Sequence, residues 1–184
     1  GKESSCENTV NSVQRLFYNI PINTYFSLDL DGIAALNDSV GGVDVVSPET
    51  IGNFVEGQSY HLVGQQAESF VRTRDTNKTD SNNMRMQRQK VYIQSFMNTV
   101  LQQTKKDLTT PLDLFNASAP YSCTNLNPSK VTYLAQQAVL GGMSGIDMMS
   151  VPGQVAMGSK YAEFNVSEAE FYQLFLSIYY TKIE

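Results

Sequence analysis

Histidine and cysteine are scarce in this sequence. His61 is the only histidine, and Cys6 and Cys123 lie far apart. None of the three stands at a metal-ligand spacing, which argues against a zinc site of His and Cys. A Ser-His-Asp triad would have to use His61, between Tyr60 and Leu62, and nothing around it supports that. It reads as a surface or packing residue. The chain also lacks a phosphate-binding glycine loop, a nucleophile elbow and an HExxH helix. Carboxylates are plentiful, but no spacing singles out a glycosidase-like pair. No apolar run approaches the length of a membrane span, and no signal peptide is visible. Repeats, low-complexity segments and linkers are absent. Charge is sparse at 17%, with a formal net of -5. That balance argues against a nucleic-acid binder working through a broad basic face.

What is present fits one domain over residues 1–184. Hydrophobic residues make up 41% of the chain, enough for a core. Residues 4–18 read as an amphipathic helix with Val10, Val13, Leu16 and Phe17 at helical spacing, capped by Ser4 or Ser5 and ended by Asn19 and Pro21. Residues 22–30 alternate as a strand. A short helix follows Asp31-Gly32 and closes at Gly41-Gly42. Val43–Val46 is a second strand, stopped by Pro48, and residues 47–62 look irregular. Residues 65–72 form a short helix, 75–83 a polar loop, and Met84–Lys106 the longest helix, with Val91, Phe96, Met97, Val100 and Leu101 inward. Residues 111–117 form a short helix or turn, and 121–124 a strand holding Cys123. Asn127-Pro128 starts another helix, with Val131, Leu134, Ala135, Ala138 and Val139 as its apolar face. Strands are expected at 146–151 and 161–166, around a turn at Pro152-Gly153. Ser167 and Glu170 form a capping box for a helix running to about Tyr180. This alternation points to an α/β sandwich of three layers.

One constellation rises above background. Of five arginines, four fall between Phe70 and Gln89: Arg72, Arg74, Arg85 and Arg88. A guanidinium keeps its charge and donates bidentate hydrogen bonds, which suits a small, localised anion such as phosphate. Arg85, Arg88, Gln89, Tyr92 and Phe96 recur at three- and four-residue spacing, so they share one helix stripe that begins polar and turns aromatic. Tyr92 and Phe96 read as core. An arginine in the first helical turn opposes the helix dipole, and a bound anion would relieve that.

Taken together, YFSLDLDGIAALNDSVGGVDVVSP, HLVGQQAESFVRTR and RMQRQ resemble the LytR–CpsA–Psr family of bacterial cell-envelope proteins. TNLNPSKVTYLA and SVPGQ look like the family's C-terminal region, so the likeness runs over nearly the whole chain from Cys6. It implies the family's α/β fold, a mixed central sheet sandwiched by helices, here incomplete at the N-terminus. It implies a phosphotransferase that moves a glycopolymer of teichoic acid or capsule type from a polyprenyl pyrophosphate carrier to peptidoglycan, with the lipid in an apolar tunnel. The alternative is a non-catalytic module that binds polyprenyl phosphate or an anionic glycan. The family's older label as a transcriptional attenuator would imply nucleic acid, which the net charge disfavours.

Position by position, the resemblance places Arg72, Arg74, Arg85 and Gln89 on the pyrophosphate, with Arg88 as the second arginine of R-x-x-R-Q. It implies Mg²⁺, whose aspartate ligands lie in early strands that this sequence does not contain. No metal ligand is therefore assigned here. Asn82 stands where the family usually has an acid three positions before Arg85. The resemblance further implies an outward-facing protein at the membrane or cell wall, with an anchor upstream of Gly1. An exposed sheet edge would invite a homodimer. In an exported protein Cys6 and Cys123 could pair; the equal alternative is two buried free thiols.

Overall fold

A computed structural model describes residues 2–75, 77, 81–158 and 161–180. Helices and strands are mixed, as the α/β reading expects. They divide into two compact units, Gly1–Asp147 and Met148–Glu184.

The first unit begins with α1 (Glu3–Leu16) and β1 (Phe26–Leu28). Helix α2 (Gly32–Ser39) leads into β2 (Val43–Val46), and β3 (Ser59–Leu62) leads into α3 (Gln65–Arg72). The longest helix, α4 (Ser81–Lys106), is followed by α5 (Thr110–Ser118), a 3-10 turn, β4 (Ser122–Thr124) and α6 (Pro128–Leu140). Two antiparallel ladders form within this unit. β1 pairs with β4, placing Ser27 opposite Cys123. β2 pairs with β3, placing Val43 opposite Leu62 and Asp44 opposite His61.

The core forms where β2–β3, α3 and α4 meet. Val43, Leu62, Ala67 and Phe70 have no exposed surface, and Val45, Val71 and Tyr92 are buried around them. Full burial of a side chain such as Leu62 or Phe70 contributes about 2–3 kcal/mol. Phe54 meets the Phe70 ring edge-on at 5.1 Å and the Tyr60 ring at 5.2 Å, which seats the 47–58 loop on the core. Val43 and Val45 point inward while Asp44 and Val46 are exposed, the period-two pattern of a half-buried strand. Gly42 is required where α2 turns into β2. Its φ is +95°, and a Cβ there would stand 2.4 Å from His61 Nε2.

Helix α4 organises the unit through its side chains. Gln103 Nε2 donates to the Val40 carbonyl at the end of α2 at 2.8 Å. Tyr92 donates its hydroxyl proton to Asn37 Oδ1 at 3.2 Å, and Asn37 Nδ2 donates to the Leu62 carbonyl at 2.8 Å. This buried polar chain joins α4, α2 and β3, and its members satisfy one another.

The second unit is a hairpin, β5 (Gly153–Met157) with β6 (Ala162–Val166), followed by α7 (Glu168–Tyr179). Val155 pairs with Phe164 across the ladder.

Several expectations need correction. The strand expected over 22–30 is confined to Phe26–Leu28, the stretch that β4 can reach. The segment expected to be irregular contains β3, which β2 completes through ladder bonds. The strand expected at 146–151 begins instead at Gly153, beyond Pro152, whose missing N–H cannot join a ladder. Helix α1 starts at Glu3 with Lys2 at its N-cap, so neither Ser4 nor Ser5 caps it. Ser167 is the N-cap of α7 but makes no side-chain cap bond, so the expected capping box does not form. On α6, Leu134 is 53% exposed, outside the face expected to bury it. Met97 of α4 is also exposed. The expected loop over 75–83 lies partly outside the described residues, and α4 begins at Ser81 rather than Met84.

Candidate functional site

The site is built where α3 ends and α4 begins. A helix leaves its last carbonyls without intrahelical donors, and α4 supplies donors to those of α3. Arg88 donates from Nη1 to the Phe70 carbonyl and from Nη2 to the Thr73 carbonyl. Gln89 Nε2 donates to the Val71 carbonyl at 3.2 Å. The third nitrogen of the Arg88 fork, Nε, donates to Glu49 Oε1 at 2.7 Å. Arg88 has no exposed surface and Glu49 is 7% exposed, so this is a buried ion pair with its hydrogen bonds made. Glu49 is held in turn by the loop it belongs to, where the Ser47 hydroxyl donates to its carbonyl at 2.7 Å.

This clamp fixes Arg72-Thr73-Arg74 at its centre. Arg72 projects from the last turn of α3 into solvent, with Nη1 on Glu68 Oε1 at 2.7 Å. Arg74 is exposed and its Nε donates to Ser81 Oγ at 3.1 Å, tying it to the first residue of α4. Arg85 lies one turn inside α4. Its Nη2 donates to Asn82 Oδ1 at 2.9 Å, while its Nε is buried with no hydrogen-bond partner among the described residues. A guanidinium N–H of that kind is costly unless something accepts from it.

The sequence groups Arg72, Arg74, Arg85, Arg88 and Gln89 as one set, and the structure divides them. Arg72, Arg74 and Arg85 keep guanidinium surface or an unused donor. Arg88 is turned wholly into the protein, because its fork is taken up by Glu49 and two carbonyls. Gln89 spends its amide N–H on Val71 while lining the adjoining cavity. Arg85 is not in the first turn of α4, so its conflict with the helix dipole falls away. Its acceptor is Asn82 Oδ1, on the residue standing where the resemblance leads one to expect an acid.

Beside Gln89 the surface opens into an apolar cavity of about 300 Å³ between β1, α2, α3 and α4. Leu28, Ile33, Leu36, Val71, Tyr92 and Phe96 line it. Tyr92 stacks on Phe96 at 6.2 Å between ring centroids. Tyr92 is buried in the core, as expected, half-buried Phe96 packs against that core, and both are also cavity wall. Burial, then the Asp38 carboxylate, push the Tyr92 phenol far above its ordinary value, so it remains a neutral donor to Asn37.

Glu49, Glu68 and Asn37 escaped the sequence reading. Glu49 sits in an irregular stretch 39 positions from Arg88, and no periodicity links the two. Glu68 was available, since it precedes Arg72 by four residues on a helix. His61 is exposed, with Nδ1 2.8 Å from Asp44 Oδ1 and Nε2 3.1 Å from the Gly41 carbonyl oxygen. That is the surface role expected for it. Among the described residues no three of His, Cys, Asp and Glu come together to hold a metal ion. The described residues therefore offer no such cluster for the Mg²⁺ that the resemblance implies. Nor is any helix among them long and apolar enough to cross a membrane.

Comparison with known proteins adds to this geometry. Over 62 residues the chain is 39% identical to the polyisoprenyl-teichoic acid–peptidoglycan teichoic acid transferase TagU of Bacillus anthracis. That stretch is 32% of this chain and spans only 20% of the relative's length. The fold is similar to that of Bacillus subtilis TagV, with a TM-score of 0.69 and 22% identity over 96% of this chain and 71% of that one. It is also similar to the Lin1025 protein of Listeria innocua, with a TM-score of 0.70 and 22% identity over 93% of this chain and 74% of that one. The LytR_cpsA_psr family model matches residues 5–176, and the chain belongs to that family.

Proposed function

We propose that this chain binds the pyrophosphate of a polyprenyl-linked glycopolymer and serves the transfer of that polymer to peptidoglycan in the cell envelope, on its outward face. One observation carries the reading: the polar-to-apolar gradient along α4. Arg85 brings a buried N–H that no described residue accepts from, Gln89 follows one turn later, and Tyr92 and Phe96 then wall an apolar cavity. An amphiphile with an anionic head and a hydrocarbon tail matches that order. Arg72 and Arg74 bring two further guanidinium groups from the end of α3.

In this reading Arg72, Arg74 and Arg85 neutralise the phosphates, and Arg88 is a positioning residue that never touches them. Gln89 spans the change from head to tail. Transfer of a glycosyl phosphate to a hydroxyl leaves negative charge on the departing polyprenyl phosphate, and guanidinium groups held in place stabilise it. No step is routed through a metal ion. TagU of Bacillus anthracis, named as a teichoic acid transferase, supports the polymer and the acceptor chosen here.

The test is binding of a polyprenyl pyrophosphate analogue by calorimetry, with and without Mg²⁺. Arg72→Ala and Arg85→Ala are each expected to weaken affinity about tenfold or more, the worth of a charge-assisted hydrogen bond. Phe96→Asp is expected to weaken binding of the lipid while sparing a short-chain headgroup. Unchanged affinity in both arginine variants overturns the proposal. A transfer assay with the same analogue and peptidoglycan fragments then separates a transferase from a module that only binds.

A further inference from the structure

The one buried residue of α1 is a cysteine. The rest of that helix is shallowly attached: Val10 and Val13 are half-buried and Leu16 is 40% exposed. Cys6 and Ser27 line one cavity, and, beyond burial, the Cys123 thiol stands close enough to raise the pKa of Cys6. Ser27 and Cys123 are opposite each other in the β1–β4 ladder, so their side chains leave the same face of that ribbon. Helix α1 lies against β4 across that face. The two thiols thus face each other between a helix and a ladder, with the Tyr25 phenol beside them. Two cysteines so far apart in sequence have no local reason to be neighbours.

We propose that Cys6 and Cys123 are the two halves of an intrachain disulfide that staples α1 to the β1–β4 ladder when the chain matures in an oxidising compartment. The inference does not depend on the proposed function. The bond forms by two exchange steps. One thiolate attacks the disulfide of an oxidant such as oxidised glutathione, giving a mixed disulfide and releasing one thiol. The second cysteine, deprotonated, then attacks the mixed disulfide and releases the other thiol. Two electrons and two protons leave the protein and reappear on the reduced oxidant. Burial, then the facing Cys123 thiol, push the Cys6 thiol above its ordinary value, so exchange is faster in alkaline than in neutral buffer. The loop closed by this bond spans most of the first unit, the case in which a cross-link restricts the unfolded chain most.

The experiment equilibrates the purified chain in glutathione buffers from reducing to oxidising, alkylates it, and weighs it intact. The wild type is expected to pass from two alkylated thiols to none while staying monomeric. Its mass before alkylation falls by two hydrogens. The oxidised form is expected to melt roughly 5–15 °C higher than the reduced form. Cys6→Ser and Cys123→Ser are expected to keep one melting temperature in both buffers. The proposal is overturned by two alkylatable thiols at the most oxidising ratio, by cross-linked dimers in place of the intrachain bond, or by equal melting of the oxidised and reduced wild type.

Discussion

Removing Glu49 tests whether the clamp is what holds the arginine segment. The Glu49→Ala variant strips the carboxylate that Arg88 Nε meets from a guanidinium that has no exposed surface. Solvent cannot replace the partner without opening the core, so a positive charge remains buried and uncompensated. Breaking a buried ion pair from one side costs about 3–5 kcal/mol. In Glu49→Gln one carbonyl oxygen remains at the position of Oε1, so a hydrogen bond is kept while the charge is lost. That variant is expected to cost less, about 1.5–3 kcal/mol.

The paired substitution Glu49→Leu with Arg88→Met removes both charges. It does not restore stability, because the Phe70 and Thr73 carbonyls then lose their donors at about 1–3 kcal/mol each. Urea unfolding followed by far-ultraviolet circular dichroism measures all three. For a unit of this size each kcal/mol moves Tm by about 2–4 °C, so Glu49→Ala is expected to melt about 6–20 °C below wild type. A loss under about 1 kcal/mol in Glu49→Ala, or a double variant as stable as wild type, would refute the assignment of Arg88 and Glu49 to the clamp.

The remaining predictions concern the frame around the site. Tyr92→Phe leaves Asn37 Oδ1 buried without its donor, and a loss of about 1–3 kcal/mol is expected in the same unfolding assay. Gly42→Ala is expected to destabilise by about 1–3 kcal/mol and more than Gly41→Ala. Both glycines have positive φ, but only at Gly42 does a Cβ meet a neighbour, the His61 ring. The Asp107 carboxylate accepts from the Thr109 backbone N–H and then from its hydroxyl, which holds it below its ordinary value. The folded state therefore binds that proton less readily than the unfolded one. The stability it contributes is present above the unfolded pKa and lost as pH falls through the folded one. Asp107→Asn is expected to flatten the acid limb of a Tm-against-pH curve, and an unchanged limb would refute the assignment.

The amino-acid sequence made the helices legible because their apolar residues recur at fixed spacing and their caps are local. Asn127 caps α6 as expected, accepting from the Lys130 N–H at 2.9 Å. The valines of Val43–Val46, stopped by Pro48, marked β2. Its partner β3 was hidden, since Ser59-Tyr60-His61-Leu62 becomes a strand only by lying beside β2. The arginine cluster was visible because arginine is rare elsewhere in the chain. Which arginine is buried was not visible. Burial of Arg88 depends on Glu49, a residue brought to it by the fold, and nothing in the spacing of R-x-x-R-Q tells its two arginines apart. The likeness of Arg72 and Arg85 in sequence also hides a difference: one already has the Glu68 carboxylate, while the other keeps an unused N–H.

The separation of Arg88 from the other three arginines has a consequence for ionic strength. Mobile ions reach Arg72 and Arg74, which stand in solvent, and at physiological salt they screen charges beyond about 8 Å. They do not reach Arg88, which is sealed beneath the end of α3. If the proposed headgroup binds there, added salt will loosen its hold while the framework presenting the guanidinium groups stays intact. Affinity and architecture, though both are built from arginine, respond to different properties of the medium.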